Sequence, residues 1–250
     1  MEVNKIYNED CLEGMKRIPN KSIDMILCDL PYGITANKWD VIIPFEPLWE
    51  QYERLIKDDG AIVLTASQPF TTEVIGSNKR LFRYEWIWEK HNATGFLTAK
   101  IMPMKIHENI LVFYKNTPVY HPQMRFGFKP YKYVQGSASD NFGTYSKVES
   151  TSNGERYPTT IVKFTRDAEK FHPTQKPVAL FEYLIRTYTN KGDIVLDNCM
   201  GSGTTAVACL NTERKYIGFE IDKNYYEKSL ERIKNNVTQV DLFLQQEDSE

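Results

Sequence analysis

A short apolar run, Ile194-Val195-Leu196, meets Asp197 and then a turn interrupted by glycine, Gly201-Ser202-Gly203, from which a helical pattern sets out at Thr204. This unit constrains the fold more than any other stretch. A buried strand that turns sharply into a helix belongs to a strand-helix crossover, and such crossovers build parallel sheets covered by helices. The same alternation recurs along the chain. Residues 5–7, 23–28, 61–65, 84–89, 109–114, 193–196 and 216–219 are rich in Ile, Val, Phe, Tyr and Trp and read as seven strands. Residues 45–57, 178–189, 204–210 and 225–235 carry apolar side chains at helical spacing. The expected class is α/β, with a mostly parallel seven-stranded sheet and helices on both faces.

The glycine turn also points to a ligand. Gly201 and Gly203 let backbone N–H groups approach a bound molecule closely, and Ser202, Thr204 or Thr205 can cap the helix that begins there. A helix N-terminus in that position favours an anionic group. Glu220 closes the next strand, where an acid can hydrogen-bond both hydroxyls of a ribose. Thr205 and Ala206 follow the second glycine and no third glycine does, which disfavours a dinucleotide. The spacing therefore points to a nucleoside-like cofactor.

A second motif, Asp29-Leu30-Pro31-Tyr32, closes the strand at 23–28. Ligands of open α/β folds bind at this carboxyl edge. An amine conjugated to an aromatic base is a poor nucleophile. The Asp29 carboxylate and the Leu30 carbonyl can each accept one of its N–H bonds and raise the electron density at nitrogen. Pro31 stiffens the turn, and Tyr32 offers a face on which a flipped base can stack. Such chemistry needs positioning more than a metal, and no metal site is expected.

The chain has 250 residues, enough for one sizeable domain or a domain with an insertion. No apolar run is long enough to cross a membrane, and the first ten residues do not resemble a secretory leader. Cys11, Cys28, Cys199 and Cys209 show no CxxC pair, which argues against zinc or a disulfide framework and suits a reducing cytoplasm. The net charge of -2 hides an asymmetry. Residues 1–60 hold seven basic and twelve acidic groups, whereas residues 79–132 hold ten basic and three acidic. The middle of the chain is thus suited to facing phosphate.

Together and in this order, the two motifs resemble the β-class of amino-methyltransferases acting on DNA, which make N6-methyladenine or N4-methylcytosine with S-adenosylmethionine. Asp29-Leu30-Pro31-Tyr32 stands where that class has its catalytic D/N/S-P-P-Y motif, with Leu30 replacing the first proline in a role that is main-chain. Asp197 to Thr205 stands for the cofactor motif, commonly DPFxGSGTT, with Asn198 and Cys199 in place of Pro and Phe. His172-Pro173-Thr174-Gln175-Lys176-Pro177 is similar to the HPTQKP motif, which lines the cofactor's methionine end. Asn8-Glu9-Asp10-Cys11-Leu12 resembles the GDC-L element, whose acid reads the cofactor's adenine amino group. Residues 64–70 and 105–113 are similar to segments near the target pocket.

The resemblance implies a catalytic set of Asp29, Leu30, Pro31 and Tyr32. It implies a cofactor set of Asp10, Cys11, Asp29, His172, Thr174, Lys176, Asp197, Cys199, Gly201, Ser202, Gly203, Thr204, Glu220 and Ile221, with S-adenosylhomocysteine as product. The fold it implies is a permuted, Rossmann-like methyltransferase fold. The catalytic half comes first (1–116), then a target-recognition insertion (117–165), the cofactor half (166–238) and a flexible tail (239–250). Within the insertion, Arg125, Lys129, Tyr131 and Lys132 alternate cations with rings and are the expected DNA contacts. The implied partners are double-stranded DNA, a second copy of the chain and a cognate restriction endonuclease, with no membrane. Asp at position 29 favours adenine N6 over cytosine N4, for which Ser is the usual choice. Two other readings compete: a protein-glutamine methyltransferase, disfavoured by the motif order, and a non-catalytic module that binds cofactor or DNA.

Overall fold

The computed structural model describes residues 1–247 except 34–36, 38–39, 136–137, 140–142, 145–147, 170 and 172–173. Residues 248–250 also lie outside it, and for 134–135, 138–139, 143–144, 148 and 237–247 it describes the backbone alone. The first half of the chain contains β1 (Lys5–Tyr7), α1 (Cys11–Met15), β2 (Ile23–Asp29), α2 (Phe45–Leu55), β3 (Ile56–Ala66), α3 (Phe70–Ser77), β4 (Phe82–Thr94) and β5 (Lys105–Phe113). Four short strands follow: β6 (Tyr131–Gln135), β7 (Ala138–Ser139), β8 (Gly143–Thr144) and β9 (Val148–Ser152). The rest is β10 (Ile161–Phe164), α4 (Val178–Tyr188), β11 (Ile194–Asp197), α5 (Thr204–Asn211), β12 (Lys215–Phe219) and α6 (Lys223–Glu247).

The chain divides into two compact units, one made of residues 1–121 and 160–250, the other of residues 122–159. The first holds a sheet in the order β1-β12-β11-β2-β3-β5-β4-β10. β5 pairs antiparallel with both β3 and β4, and every other pairing in the sheet is parallel. The order reverses between β2 and β11. From β2 the chain winds outward through β3, and from β11 it winds the opposite way through β12. Such a switch point leaves a crevice at the carboxyl ends of the strands. Leu196 pairs with Ile26, so Asp197 and Asp29 finish adjacent strands on one edge.

Alternation along the strands sorts the core into two layers. On β2, Ile26 and Cys28 face a cluster with Leu48, Tyr52 and Phe70 of α2 and α3. Met25 and Leu27 face the opposite cluster, with Leu180 and Leu184 of α4 and Ala206 and Cys209 of α5. Parallel strands buried on both faces read as continuous apolar runs, as 23–28 does. Each fully buried aliphatic side chain here contributes about 2 kcal/mol before entropy is charged against it.

Three features differ from expectation. The sheet has eight strands, because Ile161–Phe164 adds parallel to β4 at the edge. This four-residue strand has every second residue exposed, so too little apolar character marks it in sequence. β3 begins at Ile56 rather than at 61, and Asp58-Asp59-Gly60 form an irregularity inside it. Met25 takes Ala61 as partner while Ile23 takes Ile56, which absorbs the extra residues. The last helix is also longer than the expected 225–235, running from Lys223 to Glu247. No described helix is long and apolar enough to cross a membrane.

In the second unit β6 pairs with β9 and β7 with β8, both antiparallel. An isolated bridge joins Arg125 to Arg156.

Candidate active site

One cavity of about 620 Å³ opens at the switch point. Asp29, Leu30, Pro31 and Tyr32 line it from the end of β2, and Asp197, Cys199, Gly201, Ser202 and Thr204 line it from the turn after β11. Asp10, Cys11, Thr174, Lys176, Glu220 and Ile221 also line it. Two strand tips far apart in sequence thus face one space. Gly203 is not among the lining residues; it packs against Ser229 of α6 instead. His172 lies outside the described residues.

The Asp29 carboxylate is held from three sides. Its Oδ1 accepts from the Tyr32 hydroxyl at 2.8 Å and from the Thr65 hydroxyl. Its Oδ2 accepts from Lys176 Nζ at 2.6 Å. A carboxylate oxygen has about two acceptor directions. Oδ1 has used both, and Oδ2 keeps one. Tyr32 is half-buried and stacks on Phe70 with ring centroids 5.0 Å apart, and Lys176 Nζ lies 5.6 Å from its ring centre. Burial, and then the Asp29 charge, hold the Tyr32 phenol well above its ordinary pKa, so it remains a donor.

Behind Asp29 the charges alternate. Lys176 Nζ is 3.3 Å from Glu108 Oε2, and Glu108 Oε1 is 2.5 Å from Lys90 Nζ. The side chains of Lys90 and Lys176 are each only 6% exposed. Burial works against the Lys176 ammonium, but the carboxylates of Asp29 and Glu108 outweigh it and hold its pKa above the ordinary lysine value. Burial likewise opposes the Glu108 carboxylate, yet Lys176 and Lys90 together bring its pKa below the usual range. For Lys90 burial wins over Glu108 and the shift is downward. The sequence reading placed Lys176 with the cofactor's methionine end; in the structure it lines the cavity and bonds the Asp29 carboxylate. Lys90 and Glu108 were missed, because nothing local distinguishes a buried ion pair on neighbouring strands from surface charges.

Just after β12, Glu220 accepts from Gly201 N–H and Asp222 N–H, each at 2.7 Å, one on each oxygen. Each oxygen keeps a second acceptor direction. Burial raises the Glu220 pKa against those two bonds. Asp197 is buried and accepts from Thr205 and from the Cys199 N–H at 2.9 Å; burial still pushes its pKa up to about 6. Gly203 stands at the N-cap of α5 with φ +83°, and no side chain caps the helix, contrary to the expectation for Ser202, Thr204 or Thr205. Arg232 of α6 takes up those groups, donating to the Ser202 carbonyl at 3.2 Å and the Thr204 hydroxyl at 3.0 Å. Asp10 caps α1 through one oxygen, which accepts from Leu12 N–H and Glu13 N–H.

The Asn198-Cys199 pair is accommodated rather than merely tolerated. Asn198 Oδ1 accepts from the buried Tyr52 hydroxyl at 2.5 Å. Its amide donates to the sulfurs of Cys11 and Cys199 at 3.7 and 3.5 Å. The segment before α4 is anchored in the same way. Gln175 donates to Asp167 at 3.0 Å, and Asp167 in turn pairs with Arg232 at 3.4 Å.

In the second unit Arg125, Lys129, Tyr131 and Lys132 are all exposed. Arg156, missed in sequence, lies over the Tyr131 ring at 4.4 Å and the Phe128 ring at 5.4 Å, while Arg125 lies over Phe128 at 5.3 Å. Lys132 is 3.8 Å from Glu149.

Comparison with known proteins agrees with this geometry. Residues 23–231 match the model of the DNA methylase family. The chain is 29% identical over 249 residues to the DNA adenine methyltransferase YhdJ of Escherichia coli K12, covering 93% of this chain and 83% of that protein. Among solved structures it is similar to M1.HpyAVI in complex with SAM, with a TM-score of 0.61 and 24% identity over 91% of this chain and 98% of that one. It is also similar to the cytosine-N4-specific PvuII DNA methyltransferase, with a TM-score of 0.66 and 16% identity over 94% and 92%. At those identities the structural likeness bears on fold alone. The family match spans both strand tips and everything between them, and the chain therefore belongs to the DNA methylase family, the amino-methyltransferases that draw a methyl group from S-adenosylmethionine.

Proposed function

We propose that this chain transfers a methyl group from S-adenosylmethionine to the exocyclic N6 of an adenine flipped out of double-stranded DNA. One observation carries the reading: the carboxylate at the tip of β2 and the glycine turn after β11 line a single cavity. Its volume lies within the range of ligand sites. The lining fits a nucleoside sulfonium. A Cβ at Gly201 would meet nothing nearer than the Cys199 carbonyl at 3.9 Å, so the turn leaves room where the cofactor's backbone-facing end would rest. Glu220 has acceptor directions left for ribose hydroxyls, and Asp10, Cys11 and Ile221 flank the base end. When bound, S-adenosylmethionine supplies a methyl group already activated on a positive sulfur.

The protein's part is to hold the amine in line and to receive its proton. Asp29 Oδ2 and the Leu30 carbonyl accept the two N–H bonds of the target amine, and the Tyr32 ring takes one face of the base. Oδ2 then receives the proton that the methylated nitrogen sheds. Lys176 keeps that carboxylate fixed in orientation. Asp at position 29 supports adenine over cytosine, as does the likeness to the DNA adenine methyltransferase YhdJ. The second unit, with Arg125, Lys129, Tyr131, Lys132 and Arg156, is the target-recognition segment of this reading. A homodimer and a cognate restriction endonuclease are its further partners.

The test is transfer of labelled methyl groups to DNA, followed by digestion to nucleosides. Label in N6-methyladenine is the expected result. Label in N4-methylcytosine would replace the base, and no label in any DNA would overturn the activity. Asp29→Ala should bind the cofactor as the native protein does while losing at least about a hundredfold in transfer rate.

A further inference from the structure

The hairpin between β4 and β5 exposes an apolar tip that the site chemistry does not use. Thr94 and Lys105 pair as its last rung, and both line the cavity. Beyond that rung, residues 95–104 turn back through Gly95, whose φ is +89°. Phe96 is 78% exposed, Leu97 98% and Ile101 80%, with Met102 and Met104 beside them. Scattered apolar residues on a surface need no explanation, but this many on one loop mark a contact. The loop's charge is equally one-sided. From Lys90 to His107 the sequence has three lysines, two histidines and no carboxylate. His91, Lys100 and His107 are exposed.

We propose that this tip is a wedge that enters duplex DNA at the target step and fills the space the flipped base leaves. The proposal rests on the DNA-methylating reading of the cavity and goes beyond it. A base must leave its stack to reach Asp29, and unstacking costs a few kcal/mol unless something takes the vacated place. Apolar side chains inserted between base steps do this in other DNA-binding proteins. Phe96 and Leu97 have the chemistry to stack there, while the cationic, carboxylate-free flanks suit phosphate on either side. The rim position decides between occupants. The rung reaches the Asp29 side of the cavity, since Lys105 donates to Ser67, two residues beyond the Thr65 whose hydroxyl bonds Asp29, so a duplex delivering a base to Asp29 lies against the tip. A second copy of the chain seated there would stand in the way of that duplex.

The experiment compares Phe96→Ala, Leu97→Ala and the double variant with the native protein on two substrates. One is a duplex carrying the target site, located beforehand by sequencing methylated DNA. The other is the same duplex with an abasic site opposite the target base, which makes flipping easy. The expected result is a loss of at least about tenfold in methyl transfer to the paired duplex for the double variant. Transfer to the abasic-opposed duplex should return to within about twofold of the native protein, because a target base with no pairing partner leaves the helix at little cost and no orphaned partner needs support. Cofactor affinity, melting temperature and sedimentation should not change, since these side chains are exposed. Full activity of the variants on the paired duplex would overturn the wedge, and so would an equal loss on both substrates. A shift in sedimentation with no rescue would make the tip a contact between copies and would also overturn it. A native protein that methylates neither substrate would instead remove the reading on which the wedge depends.

Discussion

Lys176 stands between two carboxylates, 2.6 Å from Asp29 and 3.3 Å from Glu108, almost without water. Removing one partner of a buried ion network leaves the others uncompensated, which costs about 3 kcal/mol or more. Lys176→Met should lower unfolding stability by that order in urea titration, and Glu108→Gln added to it should restore part of the loss. Stability unchanged in the single variant would mean that the network carries no weight. Asp197 makes a prediction of opposite character. Its folded pKa, about 6, lies above the unfolded value of about 4, so the folded protein holds a proton that the unfolded chain has released between those values. Stability should therefore fall as pH rises from about 4 to 6, by up to about 1.4 kcal/mol per pH unit from this group. Asp197→Asn should flatten that slope, measured by denaturant titration across the window. Asp29 and Asp197 were both legible as site residues, because each ends a recognisable strand. Lys90 and Glu108 were not: their partnership exists only where β4 lies beside β5.

The turn from β11 into α5 depends on Gly203. Its φ of +83° is costly for any side chain, and a Cβ there would meet Ser229 Cβ at 3.1 Å. Gly203→Ala should cost about 1–2 kcal/mol of stability. It should also weaken cofactor affinity, since the turn would shift to relieve the contact; calorimetric titration and thermal melting read both. Unaltered affinity would place the ligand elsewhere. The glycines announced this turn in sequence. What braces it did not: Arg232, from the helix expected over 225–235, donates to the Ser202 carbonyl and the Thr204 hydroxyl and so ties the turn to α6, while no side chain caps α5. Strand β10 escaped for a related reason. Four residues with alternating exposure carry no signal until an edge exists for them to join.

Across the whole molecule, the second unit makes a separable prediction. Among the described residues its strands pair with one another, and the two core clusters of the larger unit draw on no residue of 122–159. Replacing 122–159 by a short Gly-Ser linker should therefore leave cofactor affinity within about twofold while abolishing site-specific methylation. Loss of cofactor binding in a folded variant would count against that division of labour. The α/β class, the two motifs and the residues that end β2 and β11 were all readable from the chain. Each is a local matter of apolar runs, glycine and turn chemistry within a few residues. The meeting of the two motifs was an expectation carried by resemblance. Its physical cause is the parallel pairing of β11 with β2, which brings Leu196 beside Ile26 and so sets Asp197 and Asp29 on one edge. The eighth strand, the Lys90-Glu108-Lys176-Asp29 ladder and the Tyr52-Asn198 bond likewise arise from elements distant in sequence. Long-range pairing and burial leave no periodic trace in any one segment, so these features came into being only with the folded sheet.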